Sequence, residues 1–247
     1  MLKNEKESII DLLQKENLKI IQRSDYFNFS LDSLLAAEFI SLGRGVNKIL
    51  DLGTGNGAIP LFLSKRTKAK IIGIELQEVS ADLAKRNIKL NNLENQITIV
   101  HDNMKNWKEH FGSCSQDAIV CNPPFFKYHG NKELLNDLDQ LTLARHEISI
   151  SLEEIIEIAS KLLKDKGYFC MVHRADRAID IIQDMKKYGL EPKRMQFCHS
   201  KKDKNAKIVL IEGMKFGSPG LTVLPPLFTH KESPEIGYSE ELLALFR

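Results

Sequence analysis

Apolar and polar positions follow a regular rhythm along most of this chain. Short runs rich in Ile, Val and Leu at 47–52 (NKILDL), 70–75 (KIIGIE), 97–101 (ITIVH), 117–121 (DAIVC), 167–173 (GYFCMVH), 194–199 (RMQFCH) and 206–212 (AKIVLIE) predict strands. Segments of helical period at 57–66, 78–92, 104–110, 151–164 and 176–188 separate the first six. Alternation of this kind predicts a parallel sheet with helices on both faces. Only the polar stretch Ser200 to Asn205 joins the last two strands, which makes them a hairpin and turns the final strand antiparallel. Upstream, 4–14 reads as a short amphipathic helix and 19–30 as a strand or hairpin with alternating aromatics. Ser30-Leu31-Asp32-Ser33 offers caps for a helix over 34–40. The Pro- and Gly-rich tail after Gly213 is expected to wrap the surface.

Composition changes this picture little. The 247 residues fit one α/β domain, with 1–45 as an N-terminal extension, 46–213 as the core and 214–247 as a tail. Hydrophobic residues at 43% and charged residues at 28% allow both a large core and a solvated surface. A net charge of +2 does not announce a nucleic-acid partner, so any basic footprint must be local. The apolar runs are too short to span a bilayer, and the N-terminus lacks the features of a signal peptide. A cytoplasmic protein, monomeric and without a membrane partner, is expected. Cys114, Cys121, Cys170 and Cys198 show no C-x-x-C spacing, which argues against zinc and against a disulfide framework. No metal cluster stands out among the seven histidines.

The candidate chemistry sits at the ends of the strands. Asp51-Leu52-Gly53-Thr54-Gly55-Asn56-Gly57 follows the first strand and opens a helix, and its glycines let backbone approach a ligand closely. It lacks the Lys-Ser/Thr of a triphosphate loop. Glu75 ends the second strand, where a carboxylate can accept both hydroxyls of a ribose. At the third, Asp102 can accept from an adenine amino group while the Asn103 region offers backbone N–H. Ile74, Leu76 and Met104 are candidates for an apolar slot around that ring. At the fourth, two prolines end the strand abruptly in Asn122-Pro123-Pro124-Phe125-Phe126 and hold an amide and aromatic rings at its edge. Taken singly, each has a plain explanation: a loop, a solvated charge, a helix cap, a turn or core aromatics. Their order on successive strand ends is what points to a ligand site.

These residues resemble the motifs of S-adenosylmethionine-dependent methyltransferases that modify amino groups, whose signature is (N/D)-P-P-(Y/F/W). Phe27-Asn28-Phe29-Ser30-Leu31-Asp32-Ser33, the Asn-Pro-Pro-Phe-Phe run, Ala144-Arg145-His146-Glu147 and Pro225-Pro226-Leu227 resemble, more narrowly, the bacterial tRNA (adenine-N6)-methyltransferase family. That resemblance covers nearly the whole chain. It implies a Rossmann-like class I methyltransferase of the α/β class, with a seven-stranded, mostly parallel sheet whose last strand is antiparallel. It also implies S-adenosyl-L-methionine as cofactor and adenine 37 of a valine tRNA as target. The Asn-Pro-Pro-Phe run alone does not separate this family from rRNA guanine-N2 or protein glutamine N5 methyltransferases. The latter normally carry a sizeable helical N-terminal domain.

On this reading Asn122, Pro123, Pro124 and Phe125 hold the reacting amine. Asp51, Gly53, Thr54, Gly55, Gly57, Glu75, Leu76, Asp102, Asn103, Met104 and Asn122 border the cofactor. Phe126 or Tyr128 completes the base pocket, and 127–142 reads as a mobile substrate loop. The resemblance adds Phe29 and Asp32, which close over the pocket, and Arg145 and His146 near substrate; His146 could equally hold a helix start. Arg174 and Arg177 end the fifth strand on the active edge and suit RNA phosphates, as do Lys201 and Lys202 in the hairpin turn. Lys65–Lys70 falls at the far edge and reads as solvated surface.

Overall fold

The computed structural model describes residues 2–13, 17–26, 30–123, 125, 150–232 and 236–245. The first two elements are β1 (Glu7–Leu13) and β2 (Leu18–Arg23), which pair antiparallel as a separate hairpin. Within the stretch 4–14, expected to be helical, residues 7–13 therefore form a strand. Ile9 and Ile10 pair across from Ile21 and Ile20, and β-branched side chains, stiff at χ1, suit such cross-strand contact better than a helix. Leu12, Leu13, Leu18 and Ile20 join the core while Ile9 and Ile10 stay exposed.

Then follow α1 (Leu31–Phe39), β3 (Lys48–Leu52), α2 (Ala58–Arg66), β4 (Lys70–Glu75), α3 (Glu78–Leu90), β5 (Ile97–His101), α4 (Trp107–His110), β6 (Gln116–Cys121), α5 (Leu152–Leu162), β7 (Leu163–Arg174), α6 (Ala178–Lys187), β8 (Leu190–His199) and β9 (Ala206–Lys215). The tail supplies β10 (Thr222–Val223), β11 (Leu227–Phe228) and α7 (Glu240–Leu245). The main sheet has the order β10-β8-β9-β7-β6-β3-β4-β5, with β11 also on β8. The expected seven strands are all present. The two short tail strands, lying parallel to β8, raise the count to nine. Strand β9 is antiparallel to both neighbours, as the short β8–β9 connection requires.

Central strands are buried on both faces, which is why they read as continuous apolar runs. In β3, Ile49 faces the layer built by α1, α2 and α3, while Leu50 and Leu52 face the layer of α5 and α6. Strand β6 repeats this with Ala118 and Val120 against Ile119 and Cys121. Helix α5 starts on a capping box: the Ser151 hydroxyl accepts from Glu154 N–H at 3.2 Å, and Ser151 N–H donates to the Glu154 carboxylate at 2.8 Å. Among the described residues, no helix is long and apolar enough to cross a membrane.

The chain runs outward from β3 through β4 to β5 and then returns to place β6 on the other side of β3. That reversal opens a crevice at the carboxyl ends of β3 and β6, the position where open α/β sheets bind ligands.

Candidate active site

The glycine-rich turn sits over the end of β3. Gly53, Gly55 and Gly57 hold φ of 76°, 57° and 85°, a region that side-chain-bearing residues avoid. Gly53 and Thr54 both donate N–H to the Ile74 carbonyl at 3.0 Å, which folds the turn back onto β4. Gly73 makes this possible: a β-carbon there would stand 2.7–2.8 Å from three atoms of the Thr54 side chain. The signal for this was present in the sequence, since a glycine inside a strand marks close approach of another segment.

Glu75, at the end of β4, accepts from Gly55 N–H at 2.9 Å and Gln77 N–H at 2.8 Å. Burial raises the pKa of its carboxyl, against the pull of these two N–H groups. Each oxygen retains a further lone pair for a hydroxyl donor. Asp51 lies deeper. It is fully buried, neither oxygen has a hydrogen-bond partner among the described residues, and burial, with help from the Glu75 charge and against the pull of the nearby Thr54 hydroxyl, pushes its pKa up to about 7.

At the end of β5, Asp102 is already engaged. It accepts from Asn103 N–H at 2.6 Å, from the Asn106 amide at 2.9 Å and from His110 Nε2 at 2.6 Å. The His110 contact, more than any other, holds its carboxyl below the ordinary range. Glu109 completes a group whose ligand atoms lie within 4.8 Å of one another. Met104 reaches the glycine turn from this side, its methyl 3.7 Å from where a Gly53 β-carbon would be. Leu76, the residue after Glu75, is exposed. Ile74, proposed with them for an apolar slot, is instead packed into the core on the α5–α6 side.

Asn122 follows β6, next to the glycine turn. Its side-chain Nδ2 donates to the Ser33 hydroxyl of α1 at 3.2 Å. Pro123 is buried and Phe125 half-buried. The Phe125 ring meets His173, at the end of β7, with centroids 5.1 Å apart and planes at 42°. Asp32 stands in the first turn of α1, where burial raises its pKa and the Ser30 hydroxyl donates to it at 3.2 Å. Phe29, Pro124, Phe126, Tyr128, Arg145, His146 and the loop 127–142 lie outside the described residues.

One edge thus carries Asp102, Glu75, the glycine turn, Asn122 and Phe125 in the spatial order of β5, β4, β3 and β6. Because β8 runs parallel to β7, the β8–β9 turn with Lys201 and Lys202 shares this edge. Arg174 and Arg177 are there too, paired with Asp176 and Asp180. Lys201 and Lys202 have no carboxylate partner for their ammonium groups among the described residues. Ser33 entered the sequence reading only as a helix cap and a motif member, and two further contributors, His173 and Asn87 of α3, have no role in it. Buried Asn87 bonds both backbone groups of Ile21 and donates to the Asn56 carbonyl at 2.9 Å, wiring the hairpin to the glycine turn. A lone amide on the apolar face of a helix was its only advance sign.

Known proteins place the chain in a family and the sheet in a fold. Residues 33–188 match the model of the methyltransferase small domain. A protein of Photobacterium profundum named tRNA1(Val) (adenine(37)-N6)-methyltransferase is 27% identical over 74% of this chain and 75% of its own. One of the same name from Phocaeicola vulgatus is 30% identical over 80% of each. Among solved structures, a protein of Agrobacterium tumefaciens described as a predicted O-methyltransferase superposes with a TM-score of 0.67. It is 20% identical, over 87% of this chain and 95% of that one.

Proposed function

The chain belongs to the methyltransferase small-domain family, and from that premise we propose that it methylates the N6 amino group of an adenine in tRNA, adenine 37 of a valine tRNA. The observation that carries this reading is the placement of Asn122 beside the glycine turn, across the crevice between β6 and β3.

The residues fit S-adenosylmethionine. Asp51 is a buried carboxylate whose two oxygens lack donors among the described residues, which a cationic amino group would satisfy. Gly55 stands in open space, where a β-carbon would meet nothing within 4 Å, and Glu75 keeps acceptor capacity for ribose hydroxyls. Leu76, Met104 and Asp102 would border the adenine. When bound, the cofactor supplies an electrophilic methyl group on a sulfonium.

The protein's own residues have the task of making a poor nucleophile react. The lone pair of the adenine amine is delocalised into its ring. The Asn122 Oδ1 and the Pro123 carbonyl accept its two N–H groups, which favours a tetrahedral nitrogen and aims its lone pair. The same dipoles stabilise the positive charge that develops on nitrogen, and positioning supplies the rest. Phe125 stacks on the base. A proton leaves after transfer, so no strong base is required. Lys201 and Lys202, with Arg174 and Arg177, meet RNA phosphates, so binding weakens steeply with salt.

The test is incubation with labelled S-adenosylmethionine and unmodified tRNA, rRNA or release factor, followed by mass analysis of nucleosides and peptides. N6-methyladenosine in tRNA is the expected product. Methylguanosine in rRNA or methylglutamine in the release factor would overturn the reading.

A further inference from the structure

His173 is a buried titratable group that the chemistry above leaves unused. Its side chain is fully buried at the end of β7, the strand next to β6. Its Nδ1 accepts the Arg174 N–H at 2.8 Å. An imidazole nitrogen that accepts cannot carry the proton, so the neutral ring is the Nε2–H tautomer. Burial, reinforced by the Arg177 charge, lowers the pKa to about 4, so this neutral form persists through the physiological range. Nε2 is the tip of the ring, pointing away from its own backbone. Among the described residues it has no hydrogen-bond partner. A buried donor left unmet is costly, and such groups call for a specific explanation.

The surroundings supply one. Ring contact with Phe125 puts His173 against the aromatic member of the Asn-Pro-Pro-Phe run. Residues on β7 alternate, so His173 lies on the Met171 side, toward α5 and α6, whereas Asn122 is held from the α1 side by Ser33. A base whose amine is bound at Asn122 and whose ring meets Phe125 therefore extends across the β6–β7 edge toward His173. In adenine the amine is flanked by two ring acceptors, N1 and N7.

We propose that His173 is a base-reading residue, its Nε2–H donating to the adenine ring nitrogen, N1 or N7, that reaches it when the amine is seated at Asn122. The proposal rests on the adenine-N6 reading above. A donor at N1 rejects guanine, whose N1 carries a hydrogen. A donor at N7 instead orients the ring without discriminating between the purines.

The experiment measures kcat/KM on tRNA substrates whose target adenosine is replaced by 1-deaza- or 7-deazaadenosine, with wild type and His173→Phe. Wild type is expected to lose about tenfold on one of the two analogues, the one lacking the acceptor. His173→Phe is expected to lose a similar factor on unmodified tRNA and to show no further loss on that analogue, while binding S-adenosylhomocysteine as wild type does. His173→Gln, which keeps a donor, should recover part of the loss. Full wild-type activity on both analogues overturns the proposal, and this arm needs no folded variant. So does an analogue loss equal in wild type and His173→Phe. Absence of any methylation of tRNA adenine by wild type would instead remove the functional reading and this inference together.

Discussion

Asn122 donates its side-chain amide to the Ser33 hydroxyl at 3.2 Å, joining the end of β6 to α1 across 89 positions of sequence. With Nδ2 engaged, Oδ1 is the half of the amide left to accept from an incoming amine. Asn122→Ala should abolish transfer while leaving S-adenosylhomocysteine affinity nearly intact. Ser33→Ala should lower kcat by about tenfold with cofactor Kd unchanged, and Ser33→Thr should restore part of it, because only the hydroxyl is at issue. Loss of cofactor binding in Asn122→Ala would mean that the residue belongs to the other half of the site.

Asp51 makes cofactor affinity depend on pH. Its pKa in the free protein is raised to about 7 from an ordinary 3.8, chiefly by burial. A cationic ligand favours the ionised form and so lowers the pKa in the complex. Below pH 7 a proton must be displaced before binding. Affinity should therefore be level above about pH 7 and fall by up to about tenfold per unit beneath it. Asp51→Asn should bind more weakly at pH 8 and show a shallower slope, the remainder belonging to Glu75, whose pKa is also raised. Titration calorimetry with S-adenosylhomocysteine from pH 5.5 to 8 decides this, and a flat wild-type profile would sink the assignment.

The strand ends were readable in advance for a physical reason. Asp51–Gly57, Glu75, Asp102 and Asn122 each follow an apolar run, and parallel strands bring the residues after such runs to one edge. What could not be read depends on contacts between distant segments. The 4–14 stretch carries helical spacing, and it is pairing with β2, which Ile9 and Ile10 favour, that makes 7–13 a strand. His173 was hidden within a basic run, because burial, not residue type, distinguishes it from Arg174. Nothing near Ser33 signals that its hydroxyl meets Asn122.

Gly73→Ala tests the support beneath the glycine turn. The new methyl would meet Thr54 at 2.7–2.8 Å, well inside contact distance, and β4 cannot retreat because β3 and β5 pair on either side. The turn must shift instead. A stability loss of about 1–3 kcal/mol is expected, with cofactor affinity reduced about tenfold or more. Thr54→Ala removes two of the clashing atoms, so the double variant should regain stability relative to Gly73→Ala alone. Strict additivity in denaturant titrations would count against direct contact as the cause.

Two of the attachments that hold the β1–β2 hairpin should fail differently. Glu7 pairs with Arg86 at 2.7 and 2.8 Å, contacts that hold its carboxyl down to a pKa of about 2. A depressed carboxylate contributes stability that is complete above its ordinary pKa of about 4.5 and is lost as pH falls toward 2. Glu7→Gln should cost up to about 3 kcal/mol at pH 7 and speed amide exchange within the hairpin alone. Asn87→Leu fills the same space but leaves Ile21 N–H, Ile21 C=O and Asn56 C=O without their partner. Its cost should be about 2–4 kcal/mol. Exchange should rise in the hairpin and also across Gly53–Gly57, with weaker cofactor binding, since Asn87 reaches the glycine turn and Glu7 does not. If the two variants give the same exchange map, the hairpin is not coupled to the cofactor turn through Asn87.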